Sequence, residues 1–132
     1  MQKLNIQIPS LPENIRIVES FIDNAKDTYH ISDDLYGNIM VAITESVNNG
    51  ILHGNQSDSK KMVDLSLELA DDKITFTIVD QGPGFDFENL IDPTAPENLE
   101  QVGGRGIFLM KHLADEVNFE DEGRNVELIF NI

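Results

Sequence analysis

The chain has 132 residues, 40% apolar and 25% charged, which suits one globular domain with a single modest core. It has no cysteine, which excludes disulfides, thiolate metal sites and cysteine nucleophiles. Nine basic residues against 24 acidic ones give a net charge of −15, which opposes binding to nucleic acid or anionic lipid, because both rest on Lys and Arg.

MQKLNIQIPS opens the chain with Leu4, Ile6 and Ile8 in alternation, which predicts an edge strand over residues 3–8. It lacks the apolar core of a signal peptide, and no stretch approaches the roughly 20 apolar residues of a membrane span. A cytoplasmic protein is the simplest expectation. Pro9 and Pro12 break the strand, and Ile15, Val18, Ile22 and Ala25 follow at helical spacing. Ser32 can cap a second helix that runs to about His53. GNQSDSKK is a polar loop. Residues 62–70 and 74–80 are two strands of a hairpin joined by ADDK. Residues 81–103 are rich in Gly, Pro, Asp and Asn, and a third helix after GGRG carries Ile107, Leu109, Met110 and Leu113. VNFED and NVELIFNI close the chain as strands around a turn at Glu122 and Gly123. One α+β domain over residues 1–132 is expected: a two-layer sandwich, its mixed, mostly antiparallel sheet carrying helices on one face.

Three stretches stand out. In AITESVNNGILHGN, residues 42–55, Leu35, Ile39, Ala42, Ile43, Ser46, Val47 and Gly50 share the face meant for the sheet. Asn38, Glu45 and Asn49 form a polar line about a quarter-turn away, hemmed in on its other side by Val41 and Leu52. That suits a pocket wall, the plainer alternative being two exposed polar side chains. In VDQGPGF, residues 79–85, Asp80 ends a strand and is followed by Gly82 and Gly84. An acceptor there can take an exocyclic amine while glycines leave room for a flat ring; an ordinary Asp-Gly turn reads the same way. In GGRGIFLM, residues 103–110, glycines at a helix start turn N–H groups toward an anion, and Arg105 adds one of the few cations. A glycine-rich helix cap is the alternative. With a charge of −15, a polyanion can be held only by such N–H groups, a metal ion and very few cations.

Taken together, a Glu-x-x-x-Asn helix, an Asp-x-Gly-x-Gly strand end and a Gly-x-Gly helix start follow one another with a long segment before the last. This resembles the GHKL ATP-binding fold of gyrase, MutL and histidine kinases. ESVNNGILHGN and GGRGIFLMKHLAD are most similar to the bacterial anti-sigma-factor serine kinases, over nearly the whole chain. The resemblance implies a protein serine/threonine kinase that uses ATP and Mg²⁺, phosphorylates a small antagonist protein and sequesters a sigma factor or related regulator. A homodimer is implied in the same way. Asn49 would ligate Mg²⁺, and Glu45 would be the general base. Asp80 would accept from the adenine amine, and Gly82 and Gly84 would let the nucleotide approach. Gly104 and Gly106 would offer N–H groups to phosphates, Arg105 would stabilise charge on the terminal phosphate, and residues 86–102 would form a lid.

Other features fall outside that pattern. DEGRNVEL stands where many relatives carry Gly-Thr, which puts a threonine contact near adenine in doubt. His53 can touch phosphate or close the helix end on a carbonyl; His30 and His112 read as surface residues, and the acidic run 115–122 as a solvated edge. A non-enzymatic, nucleotide-dependent binding switch is the alternative function. Glu45 discriminates between the two, since a pure binder needs no carboxylate beside a metal.

Overall fold

The computed structural model describes residues 2–82 and 104–132. Alternation sets its sheet. In β1 (Gln2–Pro9), Leu4, Ile6 and Ile8 stand opposite Leu67, Leu65 and Val63 of β2 (Met62–Leu69), so both strands turn their apolar side chains to one face. The same face continues through β3 (Lys73–Val79) with Ile74, Phe76 and Ile78, and through β4 (Glu116–Glu120) with Val117 and Phe119. Val126, Leu128 and Phe130 extend it along β5 (Asn125–Asn131). Phe76 and Phe130 meet edge-on, with ring centroids 6.0 Å apart. The other face carries Asn5, Gln7, Asp64, Ser66, Thr75, Thr77 and Glu127, none of them buried.

The strand order is β1-β2-β3-β5-β4, and all four pairings among the described strands are antiparallel. The expected α+β sandwich with a mostly antiparallel sheet is present, and no parallel pair occurs among the described strands. Two helices lie between β1 and β2, so the chain enters β2 reversed, and tight turns reverse it again at residues 70–72 and at Asp121–Gly123. β4 does run in the direction of β3, yet β5 lies between them. Adjacency, not direction, removes the parallel contact.

Three helices cover the apolar face. α1 (Ile15–Tyr29) buries Val18, Ile22 and Ala25, and α2 (Asp33–Asn49) buries Ile39, Ala42, Ile43, Ser46 and Val47. α3 (Gly104–Leu113) buries Ile107 and Met110 and packs against α2. Each fully buried aliphatic chain contributes about 1.5–3 kcal/mol. α1 ends at His30, which is exposed and left-handed at φ 56°, while Ile31 N–H reaches back to the Lys26 carbonyl at 3.1 Å. Ser32 caps α2 as expected, its hydroxyl accepting from Leu35 N–H at 3.3 Å, with Asp33 and Asp34 favourably placed in the first turn. No helix of the described residues is long and apolar enough to cross a membrane.

Candidate functional site

α2 was expected to run to about His53, but its regular bonding stops at Asn49. The next turn, Gly50–Gly54, is wider: Asn55 N–H donates to the Gly50 carbonyl, five residues back, at 2.7 Å. His53 is exposed in this turn. The widening lays Gly50 and Gly54 against the end of β3. A Cβ on Gly50 would sit 3.7 Å from Asp80 Cβ, an ordinary contact, whereas one on Gly54 would lie 2.6 Å from the Asp80 carboxylate. Gly54 is therefore a glycine because Asp80 fills its side-chain space. A Cβ on Gly82 would lie 1.8 Å from the Gly54 carbonyl oxygen. The room Gly82 leaves is filled by the chain's own backbone, a reason for glycine other than the expected space for a ring.

Asp80 is half-buried at this junction. Its Oδ1 accepts from Gly82 N–H at 2.8 Å, and its own N–H donates to the Arg124 carbonyl at 2.9 Å. Arg124, in the closing DEGRNVEL hairpin, donates from Nε to the Gly82 carbonyl at 2.6 Å and pairs with Asp121 and Glu122, both at 3.3 Å. Burial pushes the Asp80 carboxyl above its ordinary value of 3.8, against the downward pull of the Gly82 N–H and Arg124. A carboxyl raised in the fold favours the native state when protonated, and that contribution fades as pH rises through the native pKa. Asp80→Asn, neutral throughout, should therefore gain stability relative to the wild type as pH rises from about 4 to 7. Thermal melts across that range check it. A constant difference would mean that Asp80 bears no buried charge.

Glu45 and Asn49 lie on α2 just before this turn, both partly buried. Asn49 Nδ2 and Ser46 Oγ are buried without a hydrogen-bond partner among the described residues. Such atoms cost about 1–3 kcal/mol each unless something binds them. α3 begins within the GGRG run, at Gly104, which leaves the N–H groups of residues 104–106 in its unbonded first turn. Gly84, the Arg105 side chain and the lid expected over residues 86–102 lie outside the described residues. His112 is exposed, stacked on Phe108.

Sequence reasoning missed Asn55, which is 1% exposed. Its Nδ2 donates to Ser10 Oγ at 2.8 Å and to the Met62 carbonyl at 3.0 Å, and its Oδ1 accepts from Gln81 N–H at 2.7 Å. In sequence it is one polar letter in a polar loop, and no local pattern marks it.

The first and second stretches thus meet in space, with Asp80 seated on the glycines that close α2. The profile of the histidine kinase-like ATPase domain matches residues 8–130. Serine-protein kinase RsbW of Staphylococcus epidermidis is 28% identical over 96% of this chain and 84% of that protein. The protein of the same name from Bacillus subtilis is 23% identical over 89% of this chain and 78% of its own length. Among solved structures, the crystal structure of the RsbU and RsbW domains of Rv1364c from Mycobacterium tuberculosis superposes with a TM-score of 0.68 at 17% identity. That likeness, over 99% of this chain and 31% of the mycobacterial one, shows the shared fold. With its profile spanning nearly every residue and its strand-end aspartate packed on the glycine-rich end of α2, the chain belongs to the histidine kinase-like ATPase domain family.

Proposed function

We propose that this chain is an ATP- and Mg²⁺-dependent protein serine/threonine kinase of the anti-sigma-factor type. It would phosphorylate a small antagonist protein and, in its other state, sequester a sigma factor or related regulator. The observation that carries the reading is the packing of Gly50 and Gly54, which directly follow the Glu45–Asn49 line on the chain, against Asp80 at the end of β3. The names of the relatives, serine-protein kinases, support the reaction class.

Asp80 accepts from the adenine amine, its carboxylate aimed by the Gly82 N–H. Gly84 would let the nucleotide approach, while Gly104, Gly106 and Arg105 would take its phosphates. Glu45 receives the proton of the attacking hydroxyl as that oxygen bonds to the γ-phosphorus and the bond to the bridging oxygen breaks, releasing ADP. Asn49 fits a hard cation: with Nδ2 turned inward, Oδ1 is the end of the amide left to ligate. Among the described residues no group of three carboxylates or imidazoles could hold a metal alone. Asn49 would hold Mg²⁺ together with the bound nucleotide, and the ion would supply neutralisation of the phosphate charge.

With nine cations in the whole chain, chelating the metal should weaken ATP binding at least about tenfold. Asn49→Ala should lose most of that metal-dependent gain. Calorimetry with and without EDTA reads both. Equal ATP affinity in the two conditions would remove Asn49 from the metal site.

A further inference from the structure

We propose that Asn55 is the positioning residue for Asp80. This rests on the reading of Asp80 as the adenine acceptor. Asp80 is followed by a turn that has to be held at a fixed distance from the end of α2, and the Asn55 carboxamide is the strut. It spends both of its N–H groups on one side, toward Ser10 Oγ and the Met62 carbonyl, and its oxygen on the other, toward Gln81 N–H. Ser10 is itself fully buried and donates its hydroxyl to the Lys61 carbonyl at 2.7 Å, so toward Asn55 it can only accept. The partners therefore fix which end of the amide is nitrogen. Two donors and one acceptor, spaced on a short planar group, are what this position demands. Aspartate lacks the donors, and serine cannot span the gap.

One side chain thereby ties the end of β1, the turn after α2, the start of β2 and the residue after Asp80. Gln81 adds a second tie to the same turn, its Oε1 accepting from Met62 N–H at 2.7 Å. The Gly82 N–H on Asp80 Oδ1 then sets the carboxylate against this fixed turn. At 1% exposure Asn55 offers nothing to a ligand, so it acts on the nucleotide only through Asp80. A buried network that satisfies all its members holds one geometry, and a displacement of about 1 Å at a binding carboxylate is enough to spoil its hydrogen bond.

The test compares ATP with purine riboside triphosphate, which lacks the amine that Asp80 would accept. The full chain is titrated with each by calorimetry, and the ratio of the two affinities is the readout. Asp80→Asn should collapse the ratio. Asn55→Ala should lower it about tenfold, chiefly by weakening ATP, even under conditions where the variant is fully folded. In the Asp80→Asn background the same change should scarcely alter the ratio, because the acceptor it positions is gone. Where Asn55→Ala does not fold, Asn55→Asp keeps the shape, loses both anchoring donors, and should also lower the ratio. A merely structural Asn55 would lower the melting temperature and leave the ratio at its wild-type value. That result, with Asp80→Asn still collapsing the ratio, overturns the proposal and spares the site. If Asp80→Asn leaves the ratio unchanged, the reading of Asp80 fails, and the role of Asn55 falls with it.

Discussion

Replacing Glu45 with alanine should cut phosphoryl transfer to a partner's serine or threonine by about 10²–10⁴-fold, the usual contribution of a positioned base, and leave ATP affinity almost untouched. Glu45 and Asn49 are four residues apart on α2, about 6 Å along the helix axis, so they sit one above the other on one side of the helix. A carboxylate there does nothing to hold an anionic nucleotide. Near the phosphates its charge is repulsive, and removing it should leave binding equal or slightly tighter. In the proposed reading its use lies in the transfer step, where the hydroxyl must lose a proton as its oxygen attacks. Val41 and Leu52 flank the same line and are exposed. Labelled ATP with a candidate antagonist protein measures transfer, and calorimetry on the same variant measures binding. Transfer at the wild-type rate would make Glu45 structural and end the catalytic claim. Binding of ATP with no labelled partner, in wild type and variant alike, would favour the non-enzymatic switch.

The parts of this fold legible in the sequence are those whose signal is local. Leu4, Ile6 and Ile8 alternate, and alternation fixes which face of β1 meets the helices; Ser32 stands directly before a helical run, and it caps. The neighbour of β3 was not legible. That β5 and not β4 lies beside it depends on long-range packing, and this is why no parallel pair occurs among the described strands. The site divides along the same line. Glu45, Asn49 and Asp80 belong to stretches that resemble a known fold, so their order could be read, although the packing of Gly50 and Gly54 on Asp80 could not. Asn55 was invisible because its value lies in partners at separations of 45 and 26 residues. The hold of Arg124 on the Gly82 carbonyl appears only once residues 42 apart are brought together. Gly82 is a glycine of the second stretch, but the backbone that fills its missing side chain comes from the first.

Gly82→Ala should destabilise the fold by about 3 kcal/mol, the upper end of overpacking costs, and weaken ATP binding at least tenfold. The added Cβ would lie 1.8 Å from the Gly54 carbonyl oxygen and 2.3 Å from its carbon, less than any real contact allows. The obstacle is backbone on both sides, so no rotamer change relieves it. Gly54 cannot retreat, because the Asp80 carboxylate already fills its own side-chain space. Gly82 cannot retreat without stretching the bonds from its N–H to Asp80 Oδ1 and from Arg124 Nε to its carbonyl. Whichever strand of the junction yields, the carboxylate moves. Gly37 supplies the control within the same chain. It lies in α2, exposed, with nothing within 4 Å of its Cβ position, so Gly37→Ala should stabilise by about 0.4–1 kcal/mol through helix propensity and a stiffer unfolded chain. Urea unfolding of both variants, with ATP calorimetry on the folded protein, reads the contrast. If Gly82→Ala matched Gly37→Ala in stability and kept wild-type ATP affinity, the close approach of the two turns would not be what holds Asp80 in place.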